Sequence, residues 1–307
     1  LNGFCFILLG YLSTLHAIRL VMLLTGLVSE GFRPANAAAV GDACPPHLMT
    51  RGFALNRLAI NVGSTIGPAL GGLLVLVSYR FLFWVDGLTC LSAALLLAFL
   101  TRSQRHHTPA PHHEMEQIPR RHPIADIPFL AFWLVMLVYG MLFMQLLSTY
   151  PLYMNRELGY PESVIGLVFA LNAILVTLIE MPLTTKFSHR SPLTVALWGI
   201  FLFGIGFTLM PLNTSGWFIT LTVIIWSMGE ILSFPQFSAM VALRAGPRSR
   251  GRYMGMYTLS FSTALVLGPA LGGIVYEMAG PNILFTAFLP ISLLMMGLLA
   301  SVGRPMF

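Results

Sequence analysis

The chain has 307 residues, of which 56% are hydrophobic and 9% charged, against about 25% charged in a soluble domain. That deficit excludes an ordinary soluble enzyme. Apolar runs near the roughly 20 residues that cross a hydrocarbon core recur along nearly the whole length and predict a polytopic helical membrane protein. The net charge of +6 comes from scattered arginines that normally set topology, so no nucleic-acid partner is expected.

Taken in chain order, the pattern predicts ten helices at about 1–15, 18–40, 53–77, 81–101, 128–152, 163–185, 193–212, 217–243, 251–277 and 283–302. The first is too short to span. It carries no basic leader and no small-residue cleavage site, so a signal peptide is not expected. The opening Leu1-Asn2-Gly3-Phe4 lies inside an apolar run, and a chain that begins within a helix is expected to be a fragment. Cys5, Cys44 and Cys90 show neither metal-ligand spacing nor a disulfide framework.

Orientation follows from the bases, because short loops rich in Lys and Arg stay cytoplasmic. One alternate set of loops holds Arg51, Arg102, Arg105, Arg120, Arg121, Lys186, Arg190, Arg244, Arg248, Arg250 and Arg252, and the other only Arg19, Arg80 and Arg156. The first set and the C-terminus with Arg304 are therefore expected on the cytoplasmic side of the cell membrane, and the high arginine usage suggests a GC-rich bacterial genome. The polar stretch 102–127 reads as a cytoplasmic linker between a helical bundle over 1–101 and another over 128–307. Its histidines, among them His106, His107, His112 and His113, fit no zinc helix, because Gln117 stands where the second histidine of the metalloprotease pattern belongs. No metal is expected.

A repeat connects the two bundles. Gly67-Pro68-Ala69-Leu70-Gly71-Gly72 recurs letter for letter as Gly268-Pro269-Ala270-Leu271-Gly272-Gly273, an offset of 201 that also pairs Arg51 with Arg252, Pro34 with Pro235 and Ala38 with Ala239. Parallel repeats flanking a linker are an architecture of secondary transporters. Carried upstream, the offset places the mates of helices 128–152 and 163–185 before Leu1, so a twelve-helix parent is expected. Gly63, Gly67 and Gly71 are spaced by four and form one flat stripe suited to close helix packing. Pro68 frees a carbonyl that can bend the helix.

The run Gly63-x-x-x-Gly67-Pro68-x-x-Gly71-Gly72 resembles the fifth-helix antiporter motif of the drug/proton antiporter-like branch of the major facilitator superfamily. The resemblance covers the whole chain, with 1–101 as helices three to six and 128–307 as helices seven to twelve. It implies an all-α fold of two six-helix bundles that acts without an enzymatic step. It also implies proton-coupled efflux of small, partly hydrophobic compounds, with no cofactor beyond the proton gradient. Two departures stand out: Met22 precedes Gly26 where the branch has arginine, and Thr184-Thr185-Lys186-Phe187-Ser188-His189-Arg190 is a degraded copy of its basic loop. In this reading the glycine motif seals the cavity and biases which side opens. The expected partners are the bilayer and a small-molecule substrate, and the chain is expected to be a monomer.

Ionisable residues at membrane depth cost roughly 2.5–3.5 kcal/mol each, which makes them functional candidates. Glu30 and Arg33 are three apart and can neutralise each other. Glu230 lies near the repeat mate of Glu30. By the resemblance, Glu30 and Glu230 sit on helices four and ten, which line the cavity. Both are candidates for substrate contact or proton coupling, with a gate-holding ion pair as the alternative. Arg57 is expected to snorkel or to meet Asp42 or Glu30 in an ion-pair network. Glu180, near a helix end, is expected to be solvated. Gln145 and Asn172 are candidates for hydrogen bonds between helices or to substrate. Two other readings stay open, an importer or facilitator of a small polar solute and a transport-inactive fragment. An intramembrane enzyme has no serine elbow, zinc helix or phosphate loop to support it.

Overall fold

The structure is a computed structural model that describes residues 1–104 and 122–303. Most of the predicted linker, including Glu114, Glu116 and the histidines from His106 to His113, and the C-terminal Arg304 lie outside the described residues. The described residues are helical and contain no strand. The helices are α1 (Asn2–Leu9), α2 (Leu15–Ala43), α3 (Met49–Val77), α4 (Tyr79–Gln104), α5 (Ile127–Met144), α6 (Thr149–Arg156), α7 (Glu162–Lys186) and α8 (Pro192–Thr208). They are followed by α9 (Gly216–Gly246), α10 (Arg248–Ala279), α11 (Pro281–Thr286) and α12 (Phe288–Gly303). Every one of the ten predicted segments contains a helix.

Local chemistry places the ends. Asp126 caps α5 by accepting the Phe129 N–H at 3.4 Å, and prolines open α8 and α11, where the missing N–H costs nothing. Gly246 separates α9 from α10 with φ 63°, a left-handed conformation that glycine adopts without strain. Two predicted helices are interrupted. Segment 128–152 breaks at the turn Gln145–Leu147 before α6, and segment 283–302 breaks between α11 and α12. Among the described residues eight spans have the length and apolarity to cross a membrane. The eight-residue α1 is too short, and the second half of α3 holds residues whose side chains are not among those described.

The chain forms two compact units. The first comprises Leu1–Arg33 and the chain from Gly63 through α4. Within it α1 crosses α4 through Gly3 and Gly87, where a Cβ on Gly3 would stand 2.6 Å from the Gly87 carbonyl oxygen. The Trp84 indole donates to the Tyr11 hydroxyl at 3.1 Å, and the Arg80 guanidinium lies 5.2 Å over the Tyr11 ring.

The second unit comprises residues 34–62 and the chain from α5 to the end. Its centre is α9, which buries 61% of its most apolar stretch. Lipid is as apolar as leucine, so close packing holds these helices together. The closest crossing is between α8 and α9, where a Cβ on Gly229 would stand 2.3 Å from the Phe203 backbone nitrogen and one on Gly199 2.9 Å from the Gly229 carbonyl oxygen. Aromatic rings fill the space around this crossing. Tyr139 of α5 stands 4.8 Å from Phe203, 5.2 Å from Phe237 and 5.5 Å from Phe234 between ring centres, in the tilted and edge-on geometries that ring quadrupoles favour.

Candidate functional site

The second unit contains three ionisable side chains drawn together from three helices. Arg57 of α3 pairs through Nη2 with Oε1 of Glu230 on α9, and through Nη1 it lies 3.1 Å from Oε2 of Glu180 on α7. Glu230 stands near the midpoint of the 31-residue span Gly216–Gly246. The Glu180 side chain is 0% exposed and that of Glu230 5%, while Arg57 retains 17%. The arginine is held from two further directions: Nη1 donates to the Glu230 carbonyl at 3.4 Å, and the guanidinium sits 4.5 Å over the Phe234 ring.

Hydrogen bonds divide unevenly between the two carboxylates. Asn172 of α7 donates to Glu230 Oε2 at 2.8 Å and to the Ser227 hydroxyl at 3.0 Å, so both Glu230 oxygens have partners. Neither Glu180 oxygen accepts a hydrogen bond; the contact with Arg57 is within ion-pair distance but lacks hydrogen-bond alignment. The cluster is therefore one arginine shared by two enclosed carboxylates, only one of which is well satisfied. Buried charge is tolerable only where partners repay desolvation, and here a single cation serves two anions.

Two expectations change. Glu180 is not solvated but is the most enclosed acid of the cluster, because its face of α7 turns inward toward Arg57 and α9. Arg57 pairs with Glu230 and Glu180 and not with Asp42. Asp42, 59% exposed, instead accepts from Arg250 Nη1 at the far end of α2, and Glu30 lies 3.5 Å from Arg33, one helical turn away with both side chains more than half exposed. Elsewhere along α3, Thr50 donates to Gln236 at 3.2 Å and Arg51 to Ser188 at 3.1 Å.

The remaining candidates lie elsewhere. Gln145 is buried at the break after α5, where it donates to the carbonyls of Met141 and Gly268 at 3.0 and 2.6 Å and accepts from Thr149 at 3.0 Å. Its side chain occupies the notch left by Gly272, where a Cβ would stand 1.8 Å from Oε1. Gly268 lies against Met141 and Met144, while beside Pro269 and Gly273 the helix is half-exposed. In the first copy of the motif, Gly63 and Gly67 meet no described atom within 4 Å of a Cβ position, and Gly71 meets only Leu82 at 3.7 Å. The close packing expected of the stripe thus occurs at the second copy among the described residues. The surroundings of Pro68 and Gly72 are not among those described.

A second buried charge lies in the stretch that the sequence assigns to the linker. Asp126 accepts from Arg244 at 2.8 and 3.0 Å and from the Tyr253 hydroxyl at 2.7 Å. Burial pushes its carboxyl upward, but the hydrogen bonds from Arg244 and Tyr253 and the charge of Arg244 outweigh that and hold it below the ordinary carboxylate value. An apolar cavity of about 340 Å³ lined by Tyr160, Val168, Leu171 and Ile219 lies apart from Arg57 and its partners.

Membrane-length helices that enclose an arginine shared by two carboxylates define a polytopic helical membrane protein with a functional site in its interior. Comparison with known proteins gives the family. The Major Facilitator Superfamily matches over residues 1–264, and the chain belongs to it: it is a membrane transporter chain and not an enzyme. It is 28% identical over 280 residues to the multidrug resistance protein MdtH of Photorhabdus laumondii, covering 90% of this chain and 67% of that protein. To the MFS-type transporter YqjV of Bacillus subtilis it is 27% identical over 307 residues, covering 96% and 73%. In fold it is similar to the human organic anion transporter MFSD10, with a TM-score of 0.75 at 19% identity over 97% of this chain and 74% of that one. A bacterial homologue of the iron transporter ferroportin in an outward-facing state gives 0.71 at 17% identity over 99% and 79%.

Proposed function

We propose that this chain forms a secondary transporter that works by alternating access and exports small, partly hydrophobic compounds in exchange for protons. The observation that carries the reading is the cluster of Arg57, Glu180 and Glu230 enclosed among membrane-spanning helices. Such groups are expensive in a membrane interior, and a carboxylate with a shared counter-ion can load and release a proton as access changes. The multidrug resistance relatives support export, and the abundance of Met and Phe supports a pocket that tolerates varied apolar shapes. In this reading Glu230, anchored by Asn172, holds Arg57 in place. The Asp42–Arg250 pair with Thr50–Gln236 fastens the arginine-rich face, which the charge bias assigns to the cytoplasm. The transporter is a monomer in the bacterial inner membrane, with the linker and C-terminus cytoplasmic.

The experiment is reconstitution of the purified chain in liposomes with an imposed pH gradient and ethidium as probe. The reading predicts ethidium accumulation on the acidic side that collapses when the gradient is dissipated. Accumulation no greater than in protein-free liposomes contradicts it.

A further inference from the structure

We propose that Glu180 is the proton-carrying residue of the cluster, with Glu230 remaining ionised as the permanent partner of Arg57. This rests on the transporter reading above and assigns the proton to a specific atom pair. Glu230 has a full set of partners: Arg57 Nη2 on Oε1, Asn172 at 2.8 Å on Oε2, and a backbone carbonyl that accepts from the same guanidinium. Glu180 has none of this support. Its side chain is wholly enclosed and both oxygens lack a hydrogen-bond donor. The charged groups facing it are Arg57 from α3 and Glu230 from α9, and the phenols of Tyr139 on α5 and Tyr257 on α10 face Arg57 in turn.

The charge count selects the same residue. With both acids ionised the cluster carries one arginine against two carboxylates, a net charge of −1 held by side chains that are 0% to 17% exposed. Protonating Glu180 makes it neutral and leaves the Arg57–Glu230 pair intact. Protonating Glu230 instead leaves Arg57 facing Glu180 at 3.1 Å without aligned hydrogen bonds and removes the anion that Asn172 stabilises. The step balances simply. A hydronium ion arriving from one side gives its proton to a Glu180 carboxylate oxygen, an O–H bond forms and water departs. When access changes, that O–H bond breaks and the proton passes to water on the other side. The helix has a weak point in the right place, because Pro182 cannot donate to the Leu178 carbonyl one turn back.

The test uses the full chain purified in detergent and compares acid-minus-alkaline infrared difference spectra in the carbonyl region of protonated carboxylic acids. The wild type is expected to show a band that Glu180→Gln removes and Glu230→Gln retains, and that Glu180→Asp shifts without abolishing. If Glu180→Gln fails to fold, the shift in Glu180→Asp decides. A spectrum unchanged by both Glu180 substitutions, a wild type without such a band, or a band lost only in Glu230→Gln overturns the assignment. The two levels separate cleanly. A Glu180 band in a protein that shows no gradient-driven ethidium movement refutes the transport reading and keeps the proton site. Gradient-driven movement with a spectrum indifferent to Glu180 does the reverse.

Discussion

Arg57→Met is the substitution to which the buried cluster is most sensitive. It removes the cation shared by two side chains that are 0% and 5% exposed, and methionine restores most of the volume without the charge. Breaking a buried ion pair from one side costs about 3–5 kcal/mol, because the surviving charge is left desolvated and unpaired. At about 1.4 kcal/mol per decade, that is a factor of roughly 150 to several thousand in the folded population. The companion variant Arg57→Met/Glu180→Gln/Glu230→Gln removes all three charges together and is expected to recover most of the loss. Unfolding in mixed micelles with rising denaturing detergent, followed by the fluorescence of Trp226 and the other tryptophans, measures both. An Arg57→Met protein within about 0.5 kcal/mol of wild type, or a triple variant no more stable than the single one, refutes the reasoning.

Three further predictions follow from contacts of different kinds. Gly229→Ala places a methyl group 2.3 Å from the Phe203 backbone nitrogen, where no side chain can move aside, so the α8–α9 crossing opens at a cost of about 1–3 kcal/mol in the same unfolding assay. Asp126 is held below its ordinary value, so its contribution to stability is complete above about pH 4 and is lost as pH falls through the lower native value. The stability difference between wild type and Asp126→Asn, measured as Tm against pH, is therefore expected to be flat near neutrality and to close in strong acid. Asp42→Asn breaks an ion pair whose carboxylate is 59% exposed and is expected to cost less than about 1 kcal/mol, with added salt shrinking the difference further.

Helix positions were readable because the signals are local. The length of an apolar run fixes where a span lies, and Asp126, Pro192, Gly246 and Gly280 mark ends through capping, ring geometry and positive φ. The break after Met144 has no local signal, because Gln145-Leu146-Leu147 contains no breaker; the turn is held by Gln145 reaching the Gly268 carbonyl on α10. The site was legible in its parts. Glu230, Asn172 and Arg57 stand out as polar residues in apolar surroundings, yet the bond from Arg57 to Glu230 spans 173 positions, and nothing in a single chain announces such a partner. Glu180 shows the same limit in reverse: proximity to a helix end implied solvent, while the packing of α7 against α9 encloses it. Asp126 was hidden among linker residues because its partners, Arg244 and Tyr253, come from the far side of the chain.

The central claim is that solute and proton movements are coupled, and coupling must work in both directions. Liposomes containing the purified chain and a trapped pH-sensitive dye are given an ethidium gradient with no initial pH difference. Coupled exchange predicts that protons move against the ethidium flow, that the pH change scales with the dye gradient, and that Glu180→Gln abolishes it while ethidium exchange persists. Ethidium movement without any proton movement in the wild-type protein would contradict it.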